Sequence, residues 1–532
     1  MEKPPKRTRA VIIDLLLLLA SALIFTLSFP SFAYKWGFFP LAYLALIPVF
    51  LVVHRAGWLR TALYGTFFGY FSYVGYNYWL ATFHPLTLAI VPPIYSIYFA
   101  FLFPLFKLAD KLFPRYGYLL QTSIWVSFEF FKVQGFLGYA YGIIGYSQYP
   151  FRSLIGLAAV TGVWGISLLV VFPSAFLGNA LKGGAASLVT DLKRQRPVLV
   201  GYLLVFAGVI VYGQLSMSRL DEARQWKVAL VQQNVDPWKG GYSAYERSFS
   251  ILTRLSTAAA REDPDIIIWS ETSFVPAIDW HTRYRTDRTA YNLVKRLRDY
   301  LSSQEIPFVI GNDDGQMIKD EFGREVRVDY NATVLWDQGG IVQTYRKIHL
   351  VPFTESFPFR KTMPGIYKWL KEADTHFWEK GKEFTVFEAA GVKFSTPICF
   401  EDTFGYISRR FVNEGAEVLV NMTNDTWSNS IAAEMQHMTI SLFRAVENKR
   451  TLLRATNGGI TCVIDPNGRI IEMLEPFTED TLIATVPVYT GQSTLYTRWG
   501  DWFAYVLLVI SLAAVGAGVA GRLLKQKFGR RE

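Results

Sequence analysis

PVLVGYLLVFAGVIVYGQLSMSRLDEARQWKVALVQQ, from Pro197 to Gln233, holds the boundary on which the reading of this chain turns. Pro197–Leu215 carries no charge and has about the length that crosses a bilayer as a helix. Beyond a short polar stretch the pattern changes, and Val228–Gln233 reads as a buried strand. Outward from this boundary, apolar residues crowd toward the N-terminus and return near the C-terminus. From about Trp226 to Val488, short β-branched runs alternate with amphipathic helical stretches. The chain therefore reads as membrane, globular, membrane: 1–220, 226–488 and 498–532. Composition agrees, since the 532 residues are 51% hydrophobic and only 18% charged.

Eight spans are expected: Val11–Phe29, Phe38–Val53, Thr61–Leu80, Leu86–Phe106, Tyr116–Phe131, Leu154–Leu177, Pro197–Leu215 and Trp502–Ala520. The second and fifth are short. The net charge of +10 does not point to nucleic acid, because much of it flanks apolar runs: Lys3, Lys6, Arg7 and Arg9 at one end, Arg522, Lys525, Lys527, Arg530 and Arg531 at the other. Between spans, Arg55 and Arg60, then Lys107, Lys111 and Arg115, then Lys182, Lys193, Arg194 and Arg196 favour every second loop. Basic flanks stay cytoplasmic, so both termini are expected there and the globular part across the membrane. Ser31-Phe32-Ala33 also resembles a signal-peptide cleavage site, but removing the first span would break the alternation. Glu129 lies inside the fifth span, either facing the bundle interior or pairing with Lys132 near the interface. Gly135–Pro150 is too rich in Gly and Tyr for a plain helix and reads as a re-entrant or interfacial segment.

In the globular part, strands are expected at Val228–Gln233, Asp265–Trp269, Pro307–Ile310, Arg327–Trp336, Val392–Ile398, Val418–Met422, Thr451–Ala455 and Ile460–Ile464. Helices are expected at Ala244–Arg261, Arg285–Ser302, Phe404–Glu414 and Ala432–Asn448. The alternation favours a layered α/β domain, and no internal repeat is visible. Three places put a reactive group after a strand. IIWSET ends on Glu271 and Thr272; taken alone, Glu271 reads first as a surface acid or helix cap. YRKIHLVPFTE brings Lys347, His349 and Glu355 together. STPICFED places Cys399 between a strand and a helix, where a thiol can have a lowered pKa and attack a carbonyl; a small buried core cysteine is the plainer reading. Cys399 and Cys462 are the only cysteines. One disulfide between them is open, but a disulfide framework is not.

Together the three places resemble the nitrilase (carbon–nitrogen hydrolase) superfamily, whose catalytic set is Glu, Lys and Cys in that order. Seven N-terminal spans, an exported nitrilase-like domain and a closing span resemble the apolipoprotein N-acyltransferases. KIHLVPFTESFPF, ICFED, NMTNDTWS (Asn421–Ser428) and RAVENKRTLLRATNGGIT (Arg444–Thr461) are similar to that family's blocks. The resemblance implies a polytopic helical membrane bundle plus an α/β nitrilase-like αββα sandwich, in a bacterial inner membrane with the catalytic domain periplasmic. It implies Cys399 as nucleophile, Glu271 as general base and Lys347 as oxyanion stabiliser. Glu355 would orient Lys347 or the amine, and Glu401 would be a supporting acid or a helix-start carboxylate. A phospholipid would donate the acyl chain through a thioester, and the N-terminal diacylglyceryl-cysteine amine of an apolipoprotein would accept it. No metal or organic cofactor is implied. Phe400 and Thr354 depart from the tyrosine and glycine expected of many relatives.

Pro352–Trp378 is long and aromatic. It reads as an arm over a lipid-facing pocket or as core filling, with Trp238, Phe353, Phe357 and Asn421 as substrate-binding candidates. Rival readings are a membrane-tethered nitrilase-type amidase or hydrolase that gives its thioester to water, a Cys399 pairing with His349 or His437, and a transporter whose pathway residue is Glu129.

Overall fold

Why the membrane part folds as it does is visible in its glycines and its few charges. In the computed structural model, which describes residues 6–83, 87–218, 223–236, 239–319, 322–372, 377–491 and 493–528, helix Trp58–Tyr76 packs on helix Thr87–Leu112. A Cβ on Gly65 would lie 2.1 Å from the Phe99 carbonyl oxygen. Small residues here let two backbones approach, which replaces the hydrophobic drive that lipid does not supply. Two buried carboxylates are paired with cations. Asp14 accepts from Arg55 and, at 3.2 Å, from the Tyr64 hydroxyl. Asp110 is held by His54 Nδ1 at 2.6 Å and Lys182 Nζ at 2.7 Å. Trp238, Lys3, Arg530 and Arg531 lie outside the described residues.

Two compact units emerge. One comprises Met1–Met217, Met435–Thr439 and Trp499–Glu532, the other Ser218–Glu434 and Ile440–Arg498. In the first, five helices among the described residues are long and apolar enough to cross a membrane: Thr8–Leu27, Thr87–Leu112, Val163–Ala180, Arg196–Leu215 and Trp502–Lys527. The sequence expectation was eight, and three of those fall short for definable reasons. Phe38–Val53 breaks into a 3-10 turn, Phe39–Tyr43, and a nine-residue helix, Ile47–Arg55. Trp58–Tyr76 is diluted by four tyrosines and three glycines, and Gly117–Lys132 has only 16 residues. The sixth expected span starts late, because Arg152–Ile155 and Ala158–Thr161 are separate single turns and Gly162, at φ 63°, redirects the chain into Val163–Ala180.

Gly135–Pro150 is not a regular helix, as its composition suggests. It holds one 3-10 turn, Ile144–Gln148, buried throughout. Glu129 faces this interior and its Oε1 accepts the Ile144 N–H at 2.7 Å. Lys132 donates instead to the Tyr141 carbonyl at 2.8 Å. Glu129 therefore secures one N–H of an irregular backbone, and the Ser167 hydroxyl takes the next, that of Gly145, at 3.1 Å.

The second unit is a two-sheet sandwich. Its strands are β1 (Arg224–Gln232), β2 (Ile266–Ile268), β3 (Phe308–Lys319), β4 (Glu325–Asp337), β5 (Gly340–Arg346), β6 (Val386–Ala389), β7 (Val392–Ser395), β8 (Val418–Thr423), β9 (Thr451–Thr456), β10 (Cys462–Ile464), β11 (Ile470–Met473) and β12 (Asp480–Val488). One sheet runs β12-β1-β2-β3-β4-β5, the other β6-β7-β8-β9-β10-β11. In each, the successive pairings are antiparallel, parallel, parallel, antiparallel, antiparallel. The sequence shows no repeat, yet the topology repeats. The central strands β8 and β9 are buried along their whole length, as strands covered on both faces must be. The sheets meet face to face through Trp226 on Phe394, with ring centroids 5.5 Å apart. Helices Tyr242–Ala260 and Arg288–Ser302 cover the outer face of the first sheet over a core that includes Leu252, Ile267, Trp269, Leu297 and Ile310. Helices Gly405–Asn413 and Ile431–Asn448 accompany the second. Strands β5, β6, β11 and β12 and helices Ile278–Arg283 and Pro364–Glu372 were not anticipated.

The Gly65 contact gives a direct test. Gly65→Ala should lower the thermal midpoint of the purified protein in detergent, with a cost of roughly 1–3 kcal/mol from overpacking. Gly201→Ala, where an added Cβ meets nothing within 4 Å, should leave the midpoint unchanged or raise it. Equal melting of the two variants would contradict the close packing.

Candidate active site

Three strand ends of the second unit bring together residues far apart in sequence. Glu271 follows β2, Lys347 is the residue after β5, and Cys399 follows β7 by way of Thr396, Pro397 and Ile398. Glu271 can lie where it does because β3 carries glycine at 311: a Cβ there would be 2.2 Å from the Ser270 carbonyl oxygen and 2.7 Å from the Glu271 Cα. The Lys347 ammonium, fully buried, donates to Glu355 Oε1 at 2.7 Å and Glu271 Oε1 at 3.3 Å. Glu355 is itself fixed, since its Oε2 accepts the Val351 N–H at 2.8 Å. Glu271 accepts from the Asn331 amide at 2.8 Å and, on its other oxygen, from the Asn424 backbone N–H at 3.0 Å.

Cys399 has φ 49°, a left-handed conformation uncommon for any residue but glycine. Asn421 holds it there: the amide, buried on β8, donates to the Pro397 and Cys399 carbonyls, each at 3.2 Å. Asn421 thus serves the backbone of the cysteine turn. Glu401 has a similar office on a larger scale. Its Oε1 accepts from the Ile348 and His349 N–H groups at 2.7 and 2.9 Å, its Oε2 from the Ile398 N–H at 2.8 Å, and both from the Tyr345 hydroxyl. One carboxyl therefore joins the lysine loop to the cysteine turn. Asn331, Asn424 and Tyr345 were not singled out in the sequence. An asparagine inside the apolar strand run NATVLW was the available signal for the first of them.

Electrostatics refine the expected chemistry. Burial would lower the Lys347 pKa, but the adjoining carboxylates of Glu355 and Glu271 override it and hold the ammonium charged well above its usual range. Burial raises Glu271, opposed by Lys347. The Cys399 thiol is pushed well up, by burial first and by the Glu271 charge second, with Lys347 pulling the other way. The anticipated lowering by a helix N-terminus does not operate: Cys399–Thr403 forms a 3-10 turn and the α-helix starts only at Gly405. The resting nucleophile candidate is a neutral thiol beside a carboxylate that can take its proton. Both cysteines are free, so no disulfide joins them. Cys462 is buried in β10, where burial drives its thiol up to about 12. The His349 ring lies on Phe404 with centroids 4.0 Å apart and its Nδ1 meets the Tyr406 hydroxyl at 3.0 Å. Burial keeps that imidazole neutral down to about pH 4.

The aromatic arm divides between its two readings. Phe357 is buried, stacked on Tyr367, which stacks in turn on Phe377. Phe353, at φ 65°, is 46% exposed, and Trp369 on helix Pro364–Glu372 is 64% exposed.

With this geometry in view, the comparisons have a clear sense. Residues 227–496 match the carbon-nitrogen hydrolase family, and residues 21–176 match the apolipoprotein N-acyltransferase N-terminal domain. The chain is 42% identical to apolipoprotein N-acyltransferase 1 of Treponema denticola, over 97% of this chain and 98% of that one. It is 40% identical to apolipoprotein N-acyltransferase 1 of Treponema pallidum, over 97% of each. The chain belongs to the apolipoprotein N-acyltransferases. As a member of that family it is an acyltransferase of the bacterial inner membrane, built from apolar spans and a nitrilase-like α/β domain. Among solved structures it is similar to an amidase of the nitrilase superfamily from Nesterenkonia, at 16% identity and TM-score 0.36, over 51% of this chain and 94% of that one.

Glu401 offers a pH test of this acyltransferase's site. Burial raises its carboxyl to about 7 against the four donors that favour the anion. Between about pH 4.5 and 7 the folded protein keeps a proton that the unfolded chain has released, so this group's contribution to stability is full below that interval and is lost as pH rises through it. Glu401→Gln should flatten that stretch of the melting profile. Parallel profiles for wild type and variant from pH 4.5 to 7.5 would contradict the assignment.

Proposed function

We propose that this acyltransferase works in two steps through a thioester on Cys399. The observation that carries the reading is a buried ammonium, Lys347, clamped between Glu355 and Glu271 beside a thiol that keeps part of its surface open. In the first step Glu271 takes the thiol proton as sulfur attacks the carbonyl of a phospholipid ester. Lys347 stabilises the tetrahedral oxyanion, a role for a fixed cation in a dry site. Collapse breaks the C–O bond, and the departing lysophospholipid oxygen takes the proton from Glu271. In the second step the α-amine of an apolipoprotein's diacylglyceryl-cysteine attacks the thioester and gives up a proton to Glu271. The C–S bond then breaks and sulfur recovers that proton. Glu355 and Glu401 act as positioning residues. Phe353, 46% exposed at the start of the arm, would meet the acyl chain, and Phe357 would support it from within the arm. Hydrolysis to free fatty acid is the same chemistry with water as acceptor, and the amine product distinguishes the two.

The basic loops support an exported catalytic domain, comprising about 226–488, with both termini cytoplasmic. That arrangement needs an odd number of crossings before the domain, whereas only four of the five apolar helices precede it. Ile47–Arg55 with its 3-10 lead, Trp58–Tyr76 and Gly117–Lys132 would supply the rest. Helices lined by their own bundle do not need a lipid-facing composition on every side. A reporter fused after Gln225 or Ser493 should behave as exported, and one after Glu532 as cytoplasmic. The same compartment for both would end this topology.

Purified enzyme incubated with phospholipid should gain an acyl-sized mass on Cys399 that neutral hydroxylamine removes. A diacylglyceryl-cysteine peptide should discharge it as a hydroxylamine-stable amide. Cys399→Ala should abolish the adduct, and Glu271→Gln or Lys347→Met should slow its formation on the order of a hundredfold or more. Cys462→Ala should be close to silent. Acylation of the peptide by an enzyme that never carries the adduct would leave direct transfer instead.

A further inference from the structure

Arg454 on β9 is fully buried and belongs to none of the roles above. Its Nη1 donates to Asp402 Oδ2 at 2.8 Å and also contacts the Ser441 hydroxyl, which bonds the same Asp402 oxygen. Its Nη2 donates to Asp425 Oδ2 at 3.1 Å. The two aspartates sit on the two segments that build the site. Asp402 is in the turn Cys399–Thr403 that begins with the thiol. Asp425 follows Asn424, whose backbone N–H holds Glu271, and the Thr423 hydroxyl donates to its other oxygen at 3.0 Å. A planar guanidinium can reach both carboxylates at once, whereas an ammonium is a single point of charge. We infer that Arg454 is a positioning residue for acyl transfer: its fork sets the cysteine turn and the Asn424 loop in register, and so fixes the thiol of Cys399 against the carboxylate of Glu271.

The inference rests on the proposed roles of Cys399 and Glu271. It does not follow from stability alone. A buried Arg that merely held the core together would affect how much enzyme folds, not how each folded molecule reacts. Arg454 also offsets the negative charge of Asp425, one of the charges that, after burial and Glu271, raise the Cys399 thiol. Lys347 opposes them from the other side, and Glu355 adds a smaller push upward.

Arg454→Lys keeps the charge and loses the fork. Arg454→Met loses both, and adding Asp425→Asn to it removes a carboxylate that has lost the guanidinium, should Arg454→Met alone fail to fold. The full-length proteins in detergent are normalised to folded enzyme by their melting amplitude. The rate of Cys399 alkylation by iodoacetamide is followed against pH, with Cys462→Ala as background, beside kcat and KM for transfer to a diacylglyceryl-cysteine peptide. For Arg454→Lys we expect kcat to fall on the order of tenfold to a hundredfold, the scale of a small misplacement of reacting groups, with KM little changed. For Arg454→Met with Asp425→Asn we expect a similar fall in kcat, because charge balance without the fork does not restore register. In Arg454→Met the alkylation midpoint should move to higher pH. Unchanged kcat per folded molecule in Arg454→Lys, or full recovery by Asp425→Asn, would overturn the inference. Cys399→Ala that still transfers acyl groups would instead overturn the thioester reading on which it rests.

Discussion

A single buried ammonium organises this domain. Lys347 has no exposed surface, and two carboxylates reach it from different directions, Glu271 from β2 and Glu355 from the start of the arm. An unpaired cation in such a place would cost several kcal/mol or lose its proton. The carboxylates keep it charged, and the charge makes their own burial tolerable. Every neighbouring device serves to hold these three groups still: Asn331 on Glu271, the Val351 N–H on Glu355, and the Lys347 N–H on the Asn331 carbonyl at 2.8 Å. Gly311 belongs to the same constraint, since any side chain there would displace Glu271.

The sandwich explains why such distant residues meet. The two sheets repeat one succession of pairings without repeating a sequence. Parallel neighbours in each sheet point their chain ends the same way, and loops at such ends are where chemistry accumulates. β2 delivers Glu271 from one sheet and β7 delivers Cys399 from the other. Glu401 then closes the gap between the Lys347 loop and the cysteine turn with four donors on one carboxyl. Its cost is a carboxyl whose proton affinity is raised into the neutral range.

Much of this was legible in the sequence. Glu271, Lys347 and Cys399 each read blandly when taken singly, and it is the resemblance of the three motifs together to one family that singles them out. Asn424 and Arg454 act through partners tens of residues away or more, and no local pattern marks them; Asn331 does interrupt an apolar strand run, but its partner Glu271 lies 60 residues earlier. For Asn421, an amide near the nucleophile is equally suited in sequence to substrate and to backbone, and its contact with the cysteine turn becomes visible only in the fold. Strand β12 went unseen because DTLIATVPV carries two threonines and Pro487 rather than a clean apolar run, while its partner β1 lies some 250 residues earlier. The span count exceeded the number of apolar helices because one expected span breaks at a 3-10 turn, one is only 16 residues long, and Trp58–Tyr76 is diluted by tyrosines and glycines. Those same residues make the bundle pack, as Gly65 does against Phe99.

The raised thiol fits the proposed cycle better than a pre-formed thiolate would. With a neutral thiol between the Glu271 carboxylate and the Lys347 ammonium, the three reacting groups carry no net charge. Ionising Cys399 into bulk solvent would leave an extra negative charge in a buried setting, and so burial and Glu271 hold the proton on sulfur. Passing that proton to Glu271 adds no charge to the site; it moves the existing one from carboxylate to sulfur, and attack moves it on to the carbonyl oxygen beside Lys347. The same balance holds in reverse when a neutral amine enters and its proton travels through Glu271 to the departing sulfur. A protonated amine brings one positive charge more and has no lone pair to attack with, so a free amine is the form this site can use. The constant charge lets one set of fixed groups serve both half-reactions without rearranging between them, which is what preorganised electrostatic stabilisation requires.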